Sequence, residues 1–415
     1  MSETEPARTA ATLHDVAREA GVSLATASRS LNGSTRKVND EYRQRVLAAA
    51  ARLNYTTNLS AQAVARGATT TVALLVADIA DPYFSSIASG VIAAADEANL
   101  IVTMAATDRD PDRELDLVRQ LRGQRPRVMI LSASRPADDP TADALVAELA
   151  AYERSGGHVV IISRNELGFR TVPLDNRGGA EALARTLVGL GYRRFAAVTG
   201  DEGLRGADDR LEGFRAGLAG AGGGAAGVPA GADASVDAGA SAGADASRAS
   251  ADAGADASGA DAGAALPDSR IARAAFTRDG GYAAMQELLG RGLGGAELVF
   301  AANDVMAVGA LAAIRDAGLA PGRDLAVAGF DDIPTVRDVT PPLTTVRVPL
   351  EELGRRALRL ALGEDSAGGV TGGADSAGGT AGAADSARPE READPGPALE
   401  VIVRDSTPPL ASPRP

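Results

Sequence analysis

A chain of 415 residues, 45% of them hydrophobic, is long enough to bury a sizeable core. It has no cysteine, which excludes disulfides and thiolate metal sites, and its two histidines, His14 and His158, are too few for a His-based cluster, so no cofactor is expected. The formal charge of −13 argues on its face against a nucleic-acid partner, yet residues 1–67 carry nine Lys/Arg against six acidic residues, a net of +3, so the acidity belongs to later segments. With no run of 18 apolar residues, and a start, MSETEPARTA, without the basic and then apolar character of a signal peptide, a cytoplasmic protein with no membrane partner is expected.

In chain order, Thr12 followed three residues later by Asp15 is a capping-box pattern, and Leu13, Val16, Ala17 and Ala20 recur at helical spacing, which predicts a first helix of about two turns. Gly21 ends it and Ser23 offers a cap for a second helix from about Leu24 to Asn32. Ala27 and Leu31, with Val22, can pack on the first helix, while Leu24, Ala25, Ser28, Arg29 and Asn32 share the outward face. That face is small, part polar and carries one Arg, dimensions that a DNA major groove admits, so the pair reads as a helix-turn-helix; the plain alternative is an ordinary helical hairpin. Asp40 is expected to cap a third helix, Glu41 to about Leu53, with Tyr42, Val46, Ala50 and Leu53 facing inward. In the loop before it, Ser34, Thr35, Arg36 and Lys37 suit phosphate oxygens, or equally a solvated loop. Residues 58–67, NLSAQAVARG, have helical propensity but too few apolar residues to hold a lone helix.

From Thr71 onward short apolar, β-branched runs (72–76, 101–106, 128–132, 159–162, 195–199, 298–301 and 325–330) alternate with candidate helices near 84–98, 111–123, 178–190, 207–219, 280–290 and 305–317. Continuous apolar strands separated by helices indicate parallel sheets covered on both faces, and so many units suggest two sheets with a cleft between the subdomains for a small molecule. Residues 220–265, with GADAS at 231, 243 and 254, and residues 363–398, with DSAGG at 365 and 375, are almost entirely small and acidic. Neither segment can bury enough apolar surface to offset its ordering entropy, so both are expected to be disordered insertions.

Thr12 to Asn32 closely resembles the DNA-binding segment of the LacI/GalR family of bacterial transcription regulators, keeping Thr12, Asp15, Val16, Ala17, Ala20, Gly21, Val22, Ser23, Thr26, Ser28, Arg29, Leu31 and Asn32 of its usual wording. The resemblance continues through DIADPYF (78–84), TVPLDNRGGA (171–180), LGYRRFAAVTG (190–200), RLEGF (210–214), FAANDVMAVGAL (300–311), VAGFDDI (327–333) and PPLTTVRVPLEELG (341–354). It implies an N-terminal all-α helix-turn-helix domain (1–57), a hinge helix (58–67), and an α/β two-lobed, periplasmic-binding-protein-like domain (68–415), two parallel sheets flanked by helices, for effector binding and dimerisation.

The same resemblance implies function: a homodimeric repressor of near-palindromic double-stranded operator DNA, controlled by a sugar-like effector in the interlobe cleft. Leu24 and Ala25 would make apolar base contacts, Ser28 would share their face, Arg29 would contact a base edge or phosphate, and Lys37 would approach phosphate. In the family the hinge wedges a Leu into the minor groove; here the four matching positions are Ala61, Gln62, Ala63 and Val64, so a shorter wedge, Val64, predicts weaker kinking. The cleft residues carried over are Arg210, Asn303 and Asp331, with Phe84 as an apolar wall. Together a guanidinium fork, an amide and a carboxylate can orient a polyol. Taken singly they are more simply an ion pair (Arg210, Asp331), a helix cap before Val305 (Asn303) and core (Phe84).

Two departures bear on the ligand: Ser163, followed by Arg164, stands where many members have a carboxylate, and Val348 stands where Gln is usual, which points to an altered or less polar effector, or none. Nothing in the residues decides between inducer and corepressor. An enzyme is disfavoured: Asp331 and Asp332 are adjacent on an extended segment and point to opposite sides, and no G-x-S-x-G, P-loop or metal-spaced cluster occurs. A plain solute-binding protein is disfavoured by the first 67 residues.

Overall fold

The computed structural model describes residues 11–32, 38–56, 69–132, 135–164, 166–221, 264, 266–363 and 396–410. Lys37, the hinge with Ala61 and Val64, and nearly all of the segments 220–265 and 363–398 lie outside the described residues. The chain forms two compact units, one holding the residues up to Thr70 together with Gly123–Arg127, the other Thr71–Arg122 and everything from Val128.

The first unit contains three helices, α1 (Leu13–Ala20), α2 (Leu24–Asn32) and α3 (Asp40–Arg52). The capping box forms as the spacing predicts: Asp15 N–H donates to Thr12 Oγ1 at 3.3 Å and Thr12 N–H donates to the Asp15 carboxylate at 3.0 Å. Gly21, with φ +64°, closes α1, and Ser23 Oγ accepts from Thr26 N–H at 3.1 Å to start α2. Val16, Ala17, Ala20, Ala27, Val46, Ala49 and Ala50 make the core, with Leu13, Val22, Leu31, Leu53 and Tyr55 packed at its margin.

Two details of α3 differ from expectation. Its cap is Asn39, whose Oδ1 accepts from Glu41 N–H at 2.9 Å, and Asp40 is the first helical residue. Tyr42 is 43% exposed; Ala49 takes the inward place, and the Arg45 guanidinium lies 5.8 Å from the Tyr42 ring centroid. Alanine at this position lets the helices approach closely.

The second unit has two lobes. In the first, β1 (Thr71–Val76), β2 (Ile101–Ala106), β3 (Val128–Ser132), β4 (His158–Ser163) and β5 (Arg170–Pro173) form a parallel sheet in the order β2-β1-β3-β4-β5. Helices α4 (Pro82–Glu97), α5 (Pro111–Gln124) and α6 (Ala142–Arg154) connect its first four strands. The second lobe holds α7 (Asn176–Gly189), β6 (Phe195–Thr199), α8 (Arg205–Ala221), β7 (Ile271–Arg273), α9 (Arg278–Gly290), β8 (Leu298–Ala301), α10 (Asp304–Asp316) and β9 (Ala326–Ala328). Its sheet is also parallel, in the order β7-β6-β8-β9.

The central strands are buried, β3, β6 and β8 along their whole length and β1 from Val72 onward, as expected of parallel strands covered by helices on both faces. Helices α6, Leu350–Leu362 and the short strands Arg170–Pro173, Ile271–Arg273, Thr345–Arg347 and Glu400–Ile402 are additions to the sequence reading.

The chain passes between the lobes more than once. It leaves the first lobe after β5, and after β10 (Thr345–Arg347) returns through α11 (Leu350–Leu362), which packs on α4 and against β3, β4 and β5. It ends in the second lobe with β11 (Glu400–Ile402), antiparallel to β10, and Ser406, whose Oγ donates to Val327 O at 2.6 Å. The α4–α11 seam is so close that a Cβ on Gly90 would lie 1.9 Å from Glu351 O, and one on Gly354 2.1 Å from Ile87 O. Only hydrogen fits at either position.

Candidate functional site

In open parallel sheets ligands collect outside the carboxyl ends of the strands, because the loops there face the crevice and the helix N-termini point into it. This rule accounts for a cavity between the lobes, which encloses about 540 Å³ of empty space including its open mouth. Ala77, Asp81, Tyr83 and Phe84 follow β1, Arg109 follows β2, Ser132 and Ser163 end β3 and β4, and Leu174 and Asn176 follow β5. From the second lobe come Gly206 and Arg210 beyond β6, Phe276 after β7, Asn303 after β8 and Asp331 after β9.

Arg210, only 5% exposed, is the centre of the polar wall. Its Nε donates to Asn176 Oδ1 (2.8 Å), Nη1 to Ala302 O (2.8 Å) and Nη2 to Asp331 Oδ1 (2.9 Å), and its guanidinium lies 4.0 Å from the Phe330 ring centroid. Burial pushes the Asp331 carboxyl up to about 7, with Arg210 pulling it down and the Asp81 charge pushing it further up. Burial also raises Asp81, which caps α4 by accepting from Tyr83 N–H at 3.0 Å. Behind the wall, buried Asp304 is raised well above its usual range by burial and then by Asp331, although it accepts from Thr345 Oγ1 (2.7 Å) and Ile333 N–H (2.9 Å).

Asn303 caps α10, its Oδ1 accepting from Met306 N–H at 2.9 Å, and also lines the cavity. The helix-cap role and the cavity role thus coexist in one residue. Phe84 is 6% exposed, touching Tyr83 edge-on, and serves as both core and wall.

Of the six residues expected to line the cleft, Phe84, Ser163, Arg210, Asn303 and Asp331 come together around this cavity and Arg164 does not. Arg164 reaches across the edge of the cleft to Asp209, Nη1 donating to both carboxylate oxygens at 2.9 and 3.1 Å. It belongs to an interlobe seam in which Ala137 N–H donates to Gly203 O at 2.9 Å, Arg205 Nη2 donates to Ala137 O at 3.2 Å, and Arg205 Nε lies 3.6 Å from Glu166 Oε1. The turn after Ser163, itself at φ +132°, sends the next side chain to the seam.

In the other unit, Leu24 (45% exposed), Ala25 and Arg29 face out from α2, Ser28 is half-buried, and Ser30 is turned inward, its Oγ donating to Thr26 O at 2.9 Å.

Residues 12–58 match the model of bacterial regulatory proteins of the lacI family, residues 69–233 that of periplasmic binding proteins and the sugar-binding domain of the LacI family, and residues 242–368 a periplasmic binding protein-like domain. The HTH-type transcriptional regulator GalS of Salmonella typhimurium is 32% identical over 85% of this chain and 89% of its own length. This chain belongs to the LacI family.

Another LacI-family relative, the regulator CelR of Thermobifida fusca, is 30% identical over 84% of this chain and 90% of its own. Among solved structures, a CelR–cellobiose complex is 26% identical with a TM-score of 0.56, covering 95% of this chain and 99% of that one. The lac repressor dimer bound to operator and the anti-inducer ONPF shares the fold at 24% identity and a TM-score of 0.64, covering 86% and 94%. As a LacI-family protein the chain is a DNA-binding transcription regulator and not an enzyme. Among the described residues no helix is long and apolar enough to cross a membrane.

The sequence reading passed over Asp81, Arg109, Ser132, Asn176 and Phe276. A signal for them was present: each lies at or just past the carboxyl end of a strand or opens the helix that follows it. Val348, the position noted for its missing amide, is 4% exposed and does not line the cavity; its N–H donates to Asp331 O at 3.2 Å, which helps hold the acidic residue in place.

Proposed function

We propose that this regulator is a repressor that acts in the cytoplasm as a homodimer on a near-palindromic operator, and that a sugar-like molecule in the interlobe cavity changes its operator affinity. The observation that carries this reading is the cavity itself, in which two guanidiniums, two carboxylates and two amides converge beside two phenyl rings. Polar groups fix hydroxyls and aromatic faces take the apolar side of a sugar ring. The CelR–cellobiose complex, similar over nearly the whole chain, supports a saccharide.

On the DNA side, the exposure of Leu24, Ala25 and Arg29 supports their insertion with Ser28 into a major groove. Lys37 would meet phosphate, and the hinge with Ala61 and Val64 would enter the minor groove. One such face reads few bases, so a two-fold pair of them on a pseudo-palindrome supplies specificity, as the operator-bound lac repressor dimer illustrates. Effector and operator are then linked through the lobes: a ligand that prefers one lobe arrangement shifts the operator affinity by its differential affinity for the two.

Selection of bound fragments from random DNA at moderate salt should return an inverted repeat, and recovery of no repeat would overturn the operator reading. On the selected site Arg29→Ala should cost about 1–3 kcal/mol if Arg29 reads a base. Addition of the effector should change the affinity of the wild-type protein for that site.

A further inference from the structure

Arg210 donates three of its five N–H groups to Asn176, Ala302 and Asp331. The other arginine of the cavity is different. Arg109 lines the same space with its side chain 22% exposed, and makes no hydrogen bond to any described residue. Its nearest anions, Asp78 and Asp81, stand at 3.9 and 3.8 Å, too far for hydrogen bonds. Besides these two ion pairs the guanidinium stands by two phenyl rings, one from each lobe, with Phe84 and Phe276 centroids 6.0 and 5.9 Å away. Asp108 and Arg109 both have left-handed backbones, at φ +55° and +59°. Such conformations in non-glycine residues persist where the surroundings hold them and gather at ligand clamps.

A guanidinium carries five N–H donors, and donors largely removed from water need acceptors. We propose that Arg109 is the specificity-determining residue of the effector site, donating its fork to a pair of neighbouring oxygens on an uncharged polyhydroxy ligand held between Phe84 and Phe276. The charge balance decides the ligand's class. Asp78 and Asp81 already face Arg109, so a phosphate or carboxylate arriving at the fork would meet two carboxylates around one cation. Hydroxyl or ring oxygens accept from the fork without that repulsion. This inference rests on the sugar-effector reading above and narrows it to neutral saccharides.

Calorimetric titration of the full-length protein with D-ribose, D-glucose and cellobiose, and with their charged counterparts D-ribose 5-phosphate, D-glucuronate and cellobionate, tests it, with thermal unfolding of every variant measured alongside. At least one neutral sugar should bind, and its charged counterpart should bind more weakly. Arg109→Ala should weaken the neutral sugar fivefold or more, and Arg109→Lys, which keeps the charge and loses the planar fork, should not restore it. Arg109→Gln serves as the neutral variant if Arg109→Ala does not fold. Binding within fivefold of wild type in the neutral variant, full rescue by lysine, or a charged counterpart that binds more tightly than its neutral parent would each overturn the role of Arg109 while leaving an effector site in place. A wild-type protein that binds none of the neutral sugars would overturn the effector reading itself, and this inference with it.

Discussion

Two consecutive carboxylates sit in opposite electrostatic regions of the second lobe. Asp332, its side chain 1% exposed, is met by three arginines: Arg404 at 2.5 Å, Arg347 at 2.8 Å and Arg337 at 3.6 Å. These join the segment after β9 to β10 and to the stretch after β11, so the cluster ties together the last passages of the chain. Asp331 is as buried but has one arginine, Arg210, and two further carboxylates, Asp81 and Asp304, push against it. Asp332 is oversupplied with positive charge and holds structure, whereas Asp331 is undersupplied and faces the cavity. A buried charge with full compensation is inert; one with partial compensation responds to whatever enters beside it.

The largest expected effect lies on the inert side. Asp332→Ala leaves Arg404, 14% exposed, without its carboxylate and should cost about 3–5 kcal/mol in urea unfolding. Asp331→Asn keeps shape and most hydrogen bonding, so it should cost far less; the reverse order would break the comparison.

Next comes pH. The folded pKa of Asp331, about 7, lies above its ordinary 3.8, so the folded chain keeps a proton that the unfolded chain has already released. The stability this group contributes is fully present below about pH 4 and is lost as pH rises through about 7, and the raised Asp81 and Asp304 act in the same direction. Asp331→Asn should flatten that part of the profile, so the Tm difference, variant minus wild type, should grow from pH 5 to pH 8. A constant difference would place Asp331 among the fully compensated groups.

A third expectation concerns the ligand. At pH 8, where the Asp331 carboxylate is ionised, a neutral saccharide bound by the wild-type protein should bind Asp331→Asn about tenfold more weakly, the loss of one charge-assisted hydrogen bond, in the same calorimetric assay. The smallest effect belongs to the seam: Arg164, 57% exposed, should lose no more than about 1 kcal/mol of stability on Arg164→Ala, because solvent screens its pair with Asp209.

Much of the fold is written locally. The capping box at Thr12 and Asp15, the left-handed Gly21 and the apolar runs of the central strands are short-range patterns, and the structure has helices or strands at each. Short edge strands such as Ile271–Arg273 escaped because three residues carry no period, whereas α11, with Leu350, Leu353, Ala357, Leu358 and Ala361 at helical spacing, was legible and was passed over. The opposite orientation of Asp331 and Asp332 was also foreseen, though from an extended backbone; both have positive φ, +122° and +56°, so the divergence comes from an unusual turn instead.

The candidate site divides along the same line. Arg210, Asn303 and Asp331 could be named because each sits in a recognisable word of a family pattern, and Arg164 was misplaced because a single positive-φ residue before it changes the direction of the next side chain.

By itself the sequence determined the order of elements, the three-helix module, the two parallel sheets and membership of the LacI family, all of which depend on neighbours a few residues apart or on whole motifs. Only the tertiary structure decided which side chains share the cavity, because strand order and repeated passage between lobes bring together residues such as Arg109, Phe276 and Asp331 that no spacing connects. It also decided how differently two arginines are engaged, Arg210 donating three hydrogen bonds within the protein and Arg109 none to a described residue, a distinction that resides in hydrogen-bond geometry and not in residue type.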